Sequence, residues 1–170
     1  ILSSEPKFRF KQVMQAIYVD FVYDWDEVTT LSKELRSKLN IEAPLVINSG
    51  LSESKDKNTN KVLITLEDGL QIETVLMKHI NGRRTVCVSS PVGCPLACTF
   101  CDTGKMGFKR NLTSYEIIEQ VIFWGRILKK NNERVSNVVF MGMGEPLLNY
   151  DNVMKAIRVL NDKDGFDIGA

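Results

Sequence analysis

Thr85-Val-Cys87-Val-Ser-Ser90, followed after Pro91-Val-Gly93 by Cys94-Pro-Leu-Ala-Cys98-Thr-Phe-Cys101, is the stretch that decides the fold of this chain. Its first half is a short run rich in β-branched residues and predicts a strand. Its second half carries three thiols, with three residues and then two between them. A strand that ends in a loop of reactive side chains is the layout of parallel α/β sheets and barrels, whose sites lie at the C-terminal ends of the strands. Iron–sulfur clusters are held by thiolates from short Cys-rich loops, normally four at a time. Three thiolates leave one iron without a protein ligand, and an open position is what separates a catalytic metal site from a closed structural one. The same spacing also suits a zinc knuckle completed by Cys87 or His79.

Downstream, Asp102-Thr-Gly-Lys-Met-Gly-Phe-Lys-Arg-Asn111 reads as a loop with two glycines, three basic residues and one aromatic. Thr113-Ser-Tyr-Glu116 is a capping box that opens a helix with an apolar stripe of Ile117, Val121, Trp124 and Leu128, widened by Ile118 and Ile122. The helix is expected to end near Lys129-Lys130-Asn131-Asn132. Val135–Met141 is a nearly continuous apolar run, of the kind buried on both faces of a parallel sheet. It leads into Gly142-Met-Gly144-Glu145-Pro146, and a second amphipathic helix follows from Asp151. Glycines at a strand end let backbone come close to a ligand, and an acid beside them suits an ammonium or hydroxyl group. Strand, loop, helix, strand, loop, helix amounts to two βα units of a parallel sheet, preceding neither closure nor full coverage. The fold class expected is therefore α/β, a partial (β/α) barrel over residues 85–170 that is incomplete in this chain.

Upstream, the reading divides a helical accessory domain, residues 1–46, expected to bind RNA, from a loop and β-hairpin linker, residues 47–84. Phe10, Val13, Met14, Ile17 and Phe21 recur at helical spacing, Asp24-Trp25-Asp26 interrupts them, and Val28, Leu31, Leu35 and Leu39 resume it, with Ser32 as an N-cap. This is a small helical accessory domain. Its Lys7, Arg9, Lys11, Lys33, Arg36 and Lys38 form either a solvated face or an RNA-contacting one. Residues 48–60 are polar and without periodicity, which predicts an exposed loop. Apolar alternation on both sides of Glu67-Asp68-Gly69 predicts a β-hairpin. In its second strand Ile72, Thr74 and Leu76 share one face, and Gln71, Glu73 and Val75 the other. An acid in mid-strand is either merely exposed or, where the strand faces a catalytic cavity, a candidate general base.

Composition narrows the class. A chain of 170 residues, 44% hydrophobic and 25% charged, has the balance of an ordinary globular protein. Its net charge of +1 confines any nucleic-acid contact to local basic patches. No apolar run reaches the ~18 residues of a membrane span. All four cysteines fall between Cys87 and Cys101, which suggests metal or redox chemistry in a reducing, cytoplasmic compartment rather than a disulfide framework.

Taken jointly, Glu73-Thr-Val, Cys87-Val-Ser-Ser, Val92-Gly-Cys94, Thr103–Thr113 and Val138–Asp151 resemble the radical S-adenosylmethionine (SAM) enzymes, and within them the RlmN/Cfr group of RNA adenine methyltransferases. The resemblance implies that Cys94, Cys98 and Cys101 hold a [4Fe–4S] cluster whose fourth iron is chelated by SAM. It implies that Phe100 packs near the cofactor and that Gly144 and Glu145 bind the amino-acid end of SAM. It makes Glu73 the base that takes the adenine proton. Cys87 becomes the thiol that resolves a protein–RNA adduct by forming a disulfide with a methyl-carrying cysteine near the C-terminus, a residue this chain does not contain. The partners implied are ribosomal RNA, with transfer RNA as a second substrate, and an external electron donor, without a membrane. Carbon 2 of adenine is the expected target; carbon 8 and a non-catalytic, zinc-stabilised RNA-binding module are the alternatives. Asp102 stands where the family usually has a small residue, and an acid there is expected to lower the reduction potential of the cluster.

Overall fold

The computed structural model of the chain describes residues 1–2, 5–53 and 58–169. The first unit is helical. Helix α1 (Lys7–Tyr18) and helix α2 (Lys33–Glu42) are joined through a single 3-10 turn, Trp25–Glu27. Asp24 and Glu27 close that turn with a reciprocal capping box, and the Ser32 hydroxyl caps α2 by accepting the Leu35 N–H. The core here is Val13, Ala16, Val22, Trp25, Val28, Leu31, Leu35 and Leu39. The stripe reading placed Phe21 on the first helix, and the structure corrects this. The helix stops at Tyr18, and Phe21 adopts a left-handed φ of 52° that turns its ring away onto the next unit.

The second unit is a five-stranded sheet in the order β1-β2-β3-β4-β7. Strands β1 (Asn48–Glu53), β2 (Thr59–Thr65), β3 (Gln71–Lys78) and β4 (Arg84–Cys87) are successively antiparallel, and β7 (Asn137–Val139) runs parallel to β4. The hairpin around Asp68-Gly69 forms as expected. The exposed loop expected over 48–60 does not hold for residues 48–53, which pair with β2; residues 54–57 lie outside the described residues. A polar strand is stabilised here because its backbone finds a partner, whatever its side chains. The hairpin is hydrogen-bonded into the same sheet as β4 and β7, so the stretch read as a linker contributes strands to it.

Between β4 and β7 the chain makes a small two-stranded sheet, β5 (Pro91–Gly93) with β6 (Phe108–Asn111). These enclose the cysteine loop and the single turn α3 (Asp102–Lys105). The stretch 102–111, expected as a loop, thus contains both α3 and β6. Helix α4 (Ser114–Lys129) has the Thr113–Glu116 capping box, and its whole expected stripe is buried. Helix α5 (Tyr150–Leu160) follows a 3-10 turn at Pro146–Asn149. Both helices pack on one face of the sheet, where Val62, Ile64, Ile72, Leu76, Val86 and Val88 meet Ile117, Val121, Trp124, Leu128, Val153 and Ala156. The run Val135–Met141 was expected to be a strand covered on both faces. Only three of its residues pair, all half-buried, because β7 stands at the sheet edge with β4 as its one neighbour.

Helix α4 also joins the two units. The Phe21 ring lies on Gly125, where a Cβ would stand 2.4 Å from it, so a glycine is needed there. Arg126 is buried beneath the Tyr23 ring and donates to the carbonyls of Leu45 (2.9 Å) and Val22 (2.6 Å). Burial pushes its pKa down, and these bonds are what hold the cation in place.

Candidate cofactor and catalytic site

The two loops at the C-terminal ends of β4 and β7 are fastened to each other. Ser90 donates its N–H to the Met143 carbonyl at 3.1 Å. Asn149, buried, donates through Nδ2 to the carbonyls of Ser90 and Leu112, each at 2.8 Å. Gly144 sits at φ +80°, and a Cβ on it would lie 1.9 Å from Pro91 Cγ. A glycine is therefore required at that point, and the expectation of close backbone approach is met by a protein neighbour. Glu145 accepts the Leu147 N–H at 3.0 Å and caps the 3-10 turn. The Gly-Glu-Pro run thus lies beside the root of the cysteine loop.

Within that loop the thiols differ. Cys94 is buried, Cys98 exposed and Cys101 half-buried. The Cys94 N–H donates to the Gly107 carbonyl, and the Cys101 N–H to the Cys98 carbonyl at 3.0 Å. Gly93 approaches Gly107 so closely that a Cβ would stand 1.7 Å from its carbonyl oxygen, and Gly104 lies against Ala97 in the same way. Among the described residues no three His, Cys, Asp or Glu side chains converge as a metal-holding group, so the thiols are on one loop without being gathered to a point. The donor set nevertheless fits an iron–sulfur cluster: soft thiolates on a short loop, with one of them predisposed to ionise. The Cys101 thiol lies below its ordinary pKa because the N–H groups of Gly104 and Thr103 point at it, against the opposing charge of Asp102. Asp102 pairs with Lys105 at 2.6 Å, so a counter-charge stands beside the acid flagged next to the third cysteine. Phe100 is 89% exposed and packs on no core, which leaves its side chain free to meet a ligand. Of the three basic residues in 102–111, Arg110 is held by Asp68 (2.6 Å) and Glu116 (2.7 Å), a structural tie between the hairpin turn, β6 and α4.

Glu73 and Cys87 come together on the sheet. The register places Val75 opposite Cys87, so both share the face that carries Glu73, away from the helices. Cys87 lines a groove of about 500 Å³ with Val75, Met77, His79, Arg83, Thr85, Asn137, Val139 and Met141. Burial pushes its thiol up, and the Met141 N–H toward the sulfur offsets this only in part. Glu73 is half-exposed and pairs with Lys61 at 2.9 Å. His79 lines the far part of the groove and meets Thr85 Oγ1 at 3.1 Å. Sequence reading missed the polar residues behind the sheet, Thr74, Ser89 and Gln120, because a buried Thr, Ser or Gln in an apolar pattern carries no signal of its own.

Residues 88–169 match the model of the radical SAM superfamily, and residues 3–45 match that of the ribosomal RNA large subunit methyltransferase N-terminal domain. The chain belongs to the RlmN family of radical SAM proteins. It is 49% identical over 98% of its length to a probable dual-specificity RNA methyltransferase RlmN of Dictyoglomus turgidum, covering 47% of that protein. It is 40% identical over 96% of its length to the ribosomal RNA large subunit methyltransferase N of Nitrosopumilus maritimus, covering 49% of it. The crystal structure of a radical SAM methyltransferase from Sphaerobacter thermophilus superposes with a TM-score of 0.93 at 39% identity, over 99% of this chain and 50% of that one. The chain spans about half the length of the curated relatives it matches. With the family come its cofactors, a [4Fe–4S] cluster and SAM. Among the described residues no helix is long and apolar enough to cross a membrane.

Proposed function

We propose that the protein to which this chain belongs is a cytoplasmic radical SAM methyltransferase acting on carbon 2 of an adenine in large-subunit ribosomal RNA, and on transfer RNA as well. The observation that carries the reading is the placement of Glu73 and Cys87 on one open sheet face, at the end where the cysteine loop and Gly144-Glu145 meet. Cys94, Cys98 and Cys101 would hold the cluster, and Gly144, Glu145 and Phe100 would receive SAM. When bound, the two cofactors supply a carbon-centred radical, using one electron from an external donor. Such chemistry suits a target carbon that is not a nucleophile at neutral pH.

The chain's own side chains have separate tasks. The Glu73 carboxylate, half-exposed and oriented by Lys61, takes the proton from the adenine carbon. The Cys87 thiolate would attack the sulfur of the methyl-carrying cysteine; the S–S bond forms as the carbon–sulfur bond to RNA breaks, and the released methylene carbon keeps that bond's electron pair and takes up a proton from solvent to become the methyl group. A raised thiol pKa keeps Cys87 protonated until a base is at hand. The helical unit would offer RNA the exposed Lys7 and Lys11 of α1, with Phe8 and Phe10 each 55% exposed on the same helix, and the exposed Lys33 and Lys38 of α2.

Anaerobic reconstitution with iron and sulfide is expected to give a brown protein that cleaves SAM when reduced; a colourless protein holding one zinc would overturn the reading. In the full-length protein Cys87→Ala is expected to accumulate a covalent RNA adduct, whereas free turnover would remove Cys87 from the mechanism. Nucleoside mass spectrometry then separates methylation at carbon 2 from that at carbon 8.

A further inference from the structure

Beside the Glu73–Cys87 face, the sheet carries a polar connection with no access to solvent. Thr74 and Ser89 are 0% exposed, Gln120 is 0% and Trp124 is 1%. The register of β3 and β4 ends at Val75 opposite Cys87, and one step further along it Glu73 would face Ser89. The ladder does not continue there. Ser89 instead donates its hydroxyl to the Glu73 carbonyl at 2.6 Å, and the Ser89 hydroxyl oxygen accepts the Met143 N–H at 2.9 Å. The backbone groups of Ser89 are taken up by one side chain. Its N–H donates to Gln120 Oε1 at 2.8 Å, and Gln120 Nε2 donates to its carbonyl at 3.0 Å. One helical turn on, Trp124 Nε1 donates to Thr74 Oγ1 at 3.1 Å, and Thr74 Oγ1 donates to the Cys87 carbonyl at 2.8 Å.

A buried polar set of this kind adds little net stability over an apolar packing of the same shape, but fixes its members in one arrangement when every group is satisfied. Here the groups fixed are the backbones of Glu73, Cys87 and Met143. We infer that Ser89, seated by Gln120, is a positioning residue for the reaction: its hydroxyl sets the strand that presents Glu73 and the turn that presents Gly144-Glu145. The other bonds to this turn, from the Ser90 N–H to the Met143 carbonyl and from the Gly142 N–H to the Val88 carbonyl, tie it to the end of β4 without reaching β3. The inference rests on the proposed roles of Glu73 and Gly144-Glu145, and two separate measurements keep it testable apart from them.

The first measurement uses the full-length protein without its cofactors. In Ser89→Ala, amide hydrogen exchange at Met143 is expected to accelerate about tenfold or more, the loss of one buried hydrogen bond, while the Ile117 and Val121 amides of α4 are unchanged. Unchanged exchange at Met143 overturns the inference. Should Ser89→Ala fail to fold, Gln120→Met, which keeps the volume but frees both backbone groups of Ser89, is read in the same way. The second uses the full-length, cluster-loaded protein. Ser89→Ala is expected to raise the KM for SAM and lower kcat, each about tenfold, and to displace the limb of the pH–rate profile that Glu73→Gln removes, with Ser89→Thr restoring wild-type values. A lower Tm with KM, kcat and pH profile unchanged means a merely structural role and overturns it. If Glu73→Gln leaves turnover and its pH profile intact, the reading of Glu73 fails, while the exchange at Met143 and the KM for SAM still decide the role of Ser89.

Discussion

The two faces of the central sheet are built to opposite specifications. Behind it, α4 and α5 bury Ile72, Leu76, Val86 and Val88, and Thr74, Gln120 and Trp124 make side-chain hydrogen bonds among them. In front, Leu63, Glu73, Val75, Cys87 and Val139 form a half-covered surface around a groove, with one exposed ion pair. Among the described residues the front face has few packing partners, so its order comes from the other side. The comparison teaches that the stability of the site and its chemistry reside in different residues, a strand's width apart.

The comparison breaks most sharply if the back is cut. Trp124→Ala removes a fully buried ring and leaves the Thr74 hydroxyl without its donor; a loss of about 3–5 kcal/mol is expected in urea unfolding. A loss below about 1 kcal/mol would mean that the back does not carry the fold. Gly144→Ala strains the seam between the faces, since φ is +80° and the new methyl meets Pro91; about 2–3 kcal/mol and loss of SAM binding by calorimetry are expected.

A misfit behind the sheet sharpens the contrast. Burial, with the charges of Glu116 and Glu67, raises the Glu119 pKa to about 6. Its folded pKa thus stands above the unfolded one, so its contribution is favourable below the unfolded value and is lost as pH rises through about 6. Glu119→Gln is therefore expected to stabilise the chain by about 1–2 kcal/mol at pH 7–8 and by nothing near pH 4, measured by urea unfolding across pH. The smallest effect belongs to the front. Glu73→Gln, breaking one exposed pair with Lys61, should change stability by less than about 1 kcal/mol while abolishing methyl transfer in the full-length protein. Thiol labelling completes the series without changing stability. Iodoacetamide followed by mass spectrometry should modify Cys101 well before Cys87, since backbone N–H groups lower the one pKa and burial raises the other.

The start and buried stripe of helix α4 were legible, since its capping box and apolar stripe are both local patterns, and the hairpin around Asp68-Gly69 was legible for the same reason. Strand β1 was not, because its residues are polar and its pairing comes from β2. The end of α1 was missed because Phe21 keeps the helical spacing while its backbone, at φ 52°, follows a contact on Gly125 more than a hundred residues away. The short extent of β7 was likewise hidden: an apolar run announces a strand but not how many neighbours it finds.

The sequence by itself determined the family, the thiol loop, the glycine–glutamate turn and the order of the parallel strands, because each is written in residues close together. Tertiary structure alone decided that Glu73 and Cys87 share a face and that Gln120 reaches Ser89 from a helix thirty-one residues on. Strand register and buried side-chain hydrogen bonds depend on distances between segments, and no periodicity along one segment records them.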